Sequence, residues 1–166
     1  MKGEEARDSG SGGAWEAAVA LLAMRARSSE EIRRRLRQRH FSLAEIDAAI
    51  DRLTAAGYLN DAAFAEQWAR ARQERQALGP GRLARELKAK GVGEPEVAAA
   101  LDALQRERDV GEVAAEAAAR RLKGLRGLPP EVARRRLAAF LERRGFSTEV
   151  ILDLCRQHFA HGADTD

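Results

Sequence analysis

The chain has 166 residues, enough for one ordinary domain or for several small units sharing a continuous core. Hydrophobic residues are 45% of it and Ala dominates them, which favours thin helices set close together. No apolar run approaches the roughly 20 residues that span a bilayer, and MKGEEARDSGSGG at the start lacks the apolar centre of a signal peptide. A net charge of +3 is too small to argue for a polyanion partner by itself, so the distribution of charge matters more than its sum. The single cysteine, Cys155, excludes an internal disulfide and fits a reducing compartment. A soluble, cytoplasmic, monomeric all-α protein is expected.

In chain order, residues 1–13 read as a flexible leader. A first helix is predicted from about Ala14 to Ala26, ended before Ser28-Ser29-Glu30-Glu31, a capping box that opens the next. In that second helix Ile32 and Leu36 mark the buried stripe. Phe41, Ser42, Glu45 and Ile46 then occupy the N′, N-cap, N3 and N4 positions of a third helix, a capping box with a hydrophobic staple. Gly57 ends that helix and Asn60 caps the following one, with Leu59 placed to staple onto Phe64. Phe64 and Trp68 are four apart and share a face, so they are read as core at a seam between the first and second units.

LGPGRLARELKAKG resembles a phosphate cradle, but Gly79 as N-cap and Pro80 at N1 account for it as a helix start. The helix after it is announced by Gly93 and Pro95, with Val92 and Val97 as staple. A helix over GEVAAEAAARRL is broken by KGLRGLPP, and Phe146-Ser147 with Ile151 repeats the earlier turn chemistry. HGADTD reads as a frayed tail.

Self-comparison organises these elements. Ile32, Leu36, Phe41, Ile46, Ile50 and Leu53 each find an apolar counterpart at Leu83, Leu87, Val92, Val97, Leu101 and Leu104, a constant shift of 51. A shift of 105 gives Leu137, Leu141, Phe146, Ile151, Cys155 and His158, the last pair being weaker. The expected architecture is three tandem three-helix, helix-turn-helix-like repeats over 14–58, 59–108 and 109–160, stacked as an elongated curved rod, with 161–166 as tail.

Charge follows the same period. The windows 25–39, 70–90 and 120–144 hold 23 of the 29 basic residues but only 6 of the 26 acidic ones, so the molecule is polarised despite its small net charge. The residues expected to form a basic face are Arg33, Arg34 and Arg37, then Arg72, Arg75, Arg82, Arg85 and Lys88, then Arg121, Lys123, Arg134, Arg135 and Arg144. Such segregation of sign points to a phosphate backbone or an acidic protein groove.

Catalytic chemistry is not expected. No Walker-type loop occurs, and no nucleophile is paired with a base. Cys155, His158 and His161 recur every three residues, but the first two occupy repeat positions held elsewhere by Ile50 and Leu53, so they are read as structural rather than as metal ligands. No metal and no cofactor are expected. His40 stands where Gly91 and Gly145 end the equivalent helices and is read as a helix C-terminal residue.

The stretches ALLAMRARSSEEIRRRL, FSLAEIDAAIDRLTAAGYLNDAAFAEQWARARQ, GPGRLARELKAKGV and RRRLAAFLERRGFS together resemble the RecX family of bacterial regulatory proteins, over about residues 14 to 157. That resemblance implies a fold of three tandem three-helix repeats. It also implies a partner, the RecA recombinase filament, whose growth, ATP turnover and strand exchange such proteins restrain from the filament groove. DNA, single- or double-stranded, would meet the basic face. The alternative from the residues themselves is a DNA-binding transcription regulator using helix-turn-helix units. Against it, SLAEIDAAIDRL and EPEVAAALDAL, the helices after the turns, are acidic and Ala-rich rather than furnished with base-reading Asn or Gln.

Overall fold

A computed structural model describes residues 13–159; residues 1–12 and 160–166, and with them His161, most of the expected leader and all of the expected tail, lie outside the described residues. Among the described residues all regular structure is helical: α1 (Ala14–Met24), α2 (Ser29–Gln38), α3 (Leu43–Ala55), α4 (Asp61–Gln76), α5 (Pro80–Ala89), α6 (Glu94–Glu107), α7 (Val110–Leu122), α8 (Pro130–Arg143) and α9 (Thr148–Phe159). A short 3-10 turn, Lys123–Leu125, follows α7. None of these helices is long and apolar enough to cross a membrane. The chain divides into two compact units, one ending at Asp61 and the other starting at Ala62.

In the first unit α1 packs on both α2 and α3. Both predicted capping boxes are present. Ser28 accepts from the Glu31 amide at 3.1 Å while the Glu31 carboxylate accepts from the Ser28 amide at 3.2 Å. Ser42 and Glu45 do the same at 3.3 and 2.8 Å. Each box satisfies two amides that the first helical turn leaves without partners, which starts α2 and α3 at the predicted positions. Ile32, Leu36 and Leu53 are fully buried against Ala18, so each contributes about 1.5 to 3 kcal/mol of apolar burial. Ala18 and Ala49 supply the slim surfaces that let the three helices approach.

The second unit holds two further cores. One gathers Phe64, Leu83, Leu87, Val97, Ala100 and Leu104 around α4, α5 and α6, and the other Val113, Ala117, Leu137, Leu141, Ile151 and Leu154 around α7, α8 and α9. Ala77, just after α4, belongs to the second of these, so the two repeats share core within this unit. The 51- and 105-residue registers hold with three exceptions: Phe41 and Leu101 are half-buried and His158 is exposed. His158 sits in the last turn of α9, where no later helix covers that face among the described residues.

The aromatic segment divides between cores. Leu59 packs with the α1–α3 core, and Tyr58 is exposed with its ring edge-on to Trp15 at 6.3 Å. Phe64 belongs to the α4–α6 core, where Trp68 stacks beside it at 6.1 Å. Trp68 is half-buried rather than fully buried, its outer face covered by the Lys90 ammonium 3.9 Å from the ring centroid. Cation–π contact lets a large ring sit at the edge of a core without being left bare to water.

Candidate functional site

The basic residues separate into those that are neutralised and those that are not. Arg33 pairs with Asp47 and Arg37 with Glu30. Lys88 pairs with Glu94 at 2.7 Å. Glu86 holds two arginines at once: Arg72 through parallel bonds of 2.8 Å each, and Arg82 at 3.0 Å. Hydrogen bonding from Arg72 is the main cause that brings the Glu86 carboxyl down to about 2, against the opposing effect of burial. Five of the residues expected on the basic face, Arg33, Arg37, Arg72, Arg82 and Lys88, carry carboxylate partners. Asp47 and Glu94 come from outside the basic windows, whereas Glu30 and Glu86 lie within them.

Arg34, Arg75, Arg85, Arg134 and Arg135 are exposed and make no ion pair among the described residues. Arg85 only returns its Nε to the Gly81 carbonyl at 3.2 Å. Lys123 is exposed in the turn after α7. Arg121 and Arg144 are only half-exposed. Both lie against Phe140, at 5.7 and 4.7 Å from its ring centroid.

Arg144 is the electrostatic exception of the second unit. Burial, followed by the charges of Arg120 and Arg72, pushes its guanidinium below the ordinary arginine value. It lines an open cleft of about 240 Å³ with Arg72, Arg82, Arg143 and Phe140, and no carboxylate is among the residues lining it.

What fixes this cleft is a backbone clasp. Gly79 donates its amide to the Arg144 carbonyl at 2.8 Å and Gly81 donates to the Gly145 carbonyl at 3.0 Å. A Cβ at Gly79 would fall 2.7 Å from the Gly145 carbonyl, so only glycine permits the approach. The GPG segment does start α5, as its residue order predicts, with Gly79 as N-cap and Pro80 in the first turn. Its amides are engaged by the end of α8 rather than left open as a phosphate cradle. Sequence reasoning missed this second role; the paired glycines Gly79 and Gly81 flanking a proline were the available signal.

The first unit has an arginine cleft of its own, about 200 Å³, lined by Arg25, Arg27, Glu31, Arg34 and Arg35. Arg27 is 8% exposed, its Nε donating to the Leu21 carbonyl at the end of α1 at 3.1 Å. Arg25 pairs with the buried Glu31 at 3.1 Å. The repeat equivalent of Arg27 is Leu78, a core residue, so a guanidinium here occupies a position built for an apolar side chain. Cys155, by contrast, is buried in the α7–α9 core with its thiol pushed up by burial, while His158 faces solvent, so the two do not converge.

Three family models match the chain: RecX, first three-helix domain, over residues 14–53; RecX, second three-helix domain, over 60–101; and RecX, third three-helix domain, over 109–154. The chain is similar to the regulatory protein RecX of Amycolatopsis mediterranei, 38% identical over 126 residues that span 76% of this chain and 71% of that one. It is 36% identical over 147 residues to regulatory protein RecX of Thermobifida fusca, covering 88% and 79% of the two chains. With that of Pelodictyon phaeoclathratiforme the identity is 32% over 159 residues, 96% and 97% of the chains. The crystal structure of RecX from Lactobacillus salivarius superposes with a TM-score of 0.78 at 22% identity, over 89% of this chain and 94% of that one, a likeness of fold. Helical registers, domain matches and relatives agree: the chain belongs to the RecX family of regulatory proteins.

Proposed function

We propose that this chain is a non-enzymatic regulator of the RecA recombinase, working in the cytoplasm. It binds in the groove of the RecA nucleoprotein filament and restrains filament growth, ATP turnover and strand exchange. Membership of a family of regulatory proteins supports the general reading. The observation that carries it to a filament is the recurrence of unneutralised arginines: Arg34 in the first unit, and Arg75, Arg85, Arg134, Arg135 and Arg144 in the second. Clusters of unneutralised guanidinium groups in each unit suit a polyanionic ligand, and a nucleoprotein filament is one.

The part of the basic face held by carboxylates contributes less. Arg33, Arg37 and Lys88 have most of their field cancelled locally, so they act mainly on stability and solubility. A RecA ATPase assay on single-stranded DNA with the purified chain added tests the proposal. Substoichiometric suppression of turnover is expected, and unchanged turnover at saturating chain would refute it.

A further inference from the structure

We propose that the cleft of Arg72, Arg82, Arg143 and Arg144 is a binding subsite for one backbone phosphate of a nucleic-acid strand, held ready by the glycine clasp between α5 and the end of α8. This deepens the reading of a basic face, and rests on it, by separating the arginines that meet nucleic acid from those that meet protein.

The composition of the cleft is the first argument. Four guanidinium groups line it and no carboxylate does; Glu86 stands behind, accepting from Arg72 and Arg82 at their Nε edges. Their remaining N–H groups form the forks that match phosphate oxygens. Arg72 and Arg82 share the single charge of Glu86, and Arg143 and Arg144 make no ion pair among the described residues, so the cleft keeps a positive charge that an anion relieves.

Rigidity is the second. The Arg144 and Gly145 carbonyls are each engaged by an amide of the GPG segment, which sets Arg144 against Arg82 before any ligand arrives. Phe140 supports the Arg144 guanidinium from one side. Less side-chain freedom then remains to be lost on binding.

Size is the third. At about 240 Å³ and open to solvent, the cleft falls below the roughly 300 to 1,000 Å³ of pockets that enclose whole small molecules. It admits a phosphate with its water, not a nucleotide.

The test is fluorescence anisotropy of a labelled oligodeoxythymidylate with the full chain, over a range of salt and without RecA, so that it can fail independently of the RecA proposal. Arg144→Gln and Arg82→Gln are each expected to weaken binding several-fold. Each should also flatten the slope of log affinity against log salt by about 0.7 for each phosphate no longer engaged. Arg156→Gln, which removes an equal charge from an exposed pair with Asp153, should leave the slope unchanged. Equal effects of all three would overturn the subsite in favour of diffuse attraction. So would pyrophosphate binding that Arg144→Gln abolishes while oligonucleotide affinity stays intact, which would mark a free-anion site. If Arg144→Gln lowers the melting temperature, Arg143→Gln at the exposed rim carries the same test, and an unaltered slope in that variant sinks the proposal.

Discussion

Gly145 and Arg82 meet backbone to backbone: a Cβ on Gly145 would stand 2.1 Å from the Arg82 amide nitrogen, and Gly145 itself has φ +86°. Two demands thus coincide on one residue, a left-handed backbone at the end of α8 and bare space against the start of α5. Gly57, with φ +77°, ends α3 in the same conformation, but a Cβ there would have no neighbouring atom within 4 Å.

Comparing the two isolates the clasp. Gly57→Ala is expected to cost about 1 to 2 kcal/mol for the left-handed conformation alone. Gly145→Ala adds about 1 to 3 kcal/mol of overpacking and should weaken oligonucleotide binding as Arg144 shifts. Urea denaturation of both variants measures the difference; equal costs would mean that the clasp opens freely.

Glu86 couples stability to binding with opposite signs. Its carboxyl titrates near 2 in the fold, below the ordinary 4.5, because Arg72 and Arg82 hold the ionised form. A depressed carboxylate contributes stability that is present above about 4.5 and is lost as pH falls toward about 2. Glu86→Gln is therefore expected to be less stable than the parent at neutral pH, with the gap closing across that acid window. The same variant removes a negative charge beside the cleft, so oligonucleotide binding should tighten while the urea midpoint drops. Both properties falling together would show Glu86 to be a positioning residue whose loss collapses the cleft.

His40 holds φ +65° at a helix end where the equivalent residues are Gly91 and Gly145. Its side chain is exposed, so little packing offsets the strain of the left-handed backbone. His40→Gly is expected to stabilise by about 1 kcal/mol, visible as a rise of a few degrees in melting temperature. No rise would show that the histidine ring makes a stabilising contact of its own.

Trp68→Ala should act through structure. A fully buried tryptophan costs about 3 to 5 kcal/mol on truncation, and this ring, half-buried beside Phe64, should cost somewhat less. Thermal unfolding and DNA binding measured on one preparation decide the matter. An unchanged melting temperature with weakened binding would make the ring a base-stacking surface.

Ion pairing orders the arginines of α2. Neutralising Arg34 should weaken restraint of RecA ATPase more than neutralising Arg33, which already has Asp47 beside it. The reverse order would mean that local pairing does not set which arginines reach the partner.

The sequence by itself determined the helices, their ends and their threefold register. These follow from short-range chemistry: Ser28 and Glu31, or Ser42 and Glu45, lie within one turn of each other, and the stripe Ile32, Leu36, Ile46, Leu53 is read from spacing alone. It also located the basic windows, since counting charge requires no coordinates. Tertiary structure decided which of those charges remain unneutralised. Asp47 lies 14 positions from Arg33, Glu86 lies 14 from Arg72, and Arg144 meets Arg72 and Arg82 only because α8 ends against the start of α5. Coulombic partners are chosen by distance in space, and distance in space between helices is set by which side chains, or which glycines, lie between them.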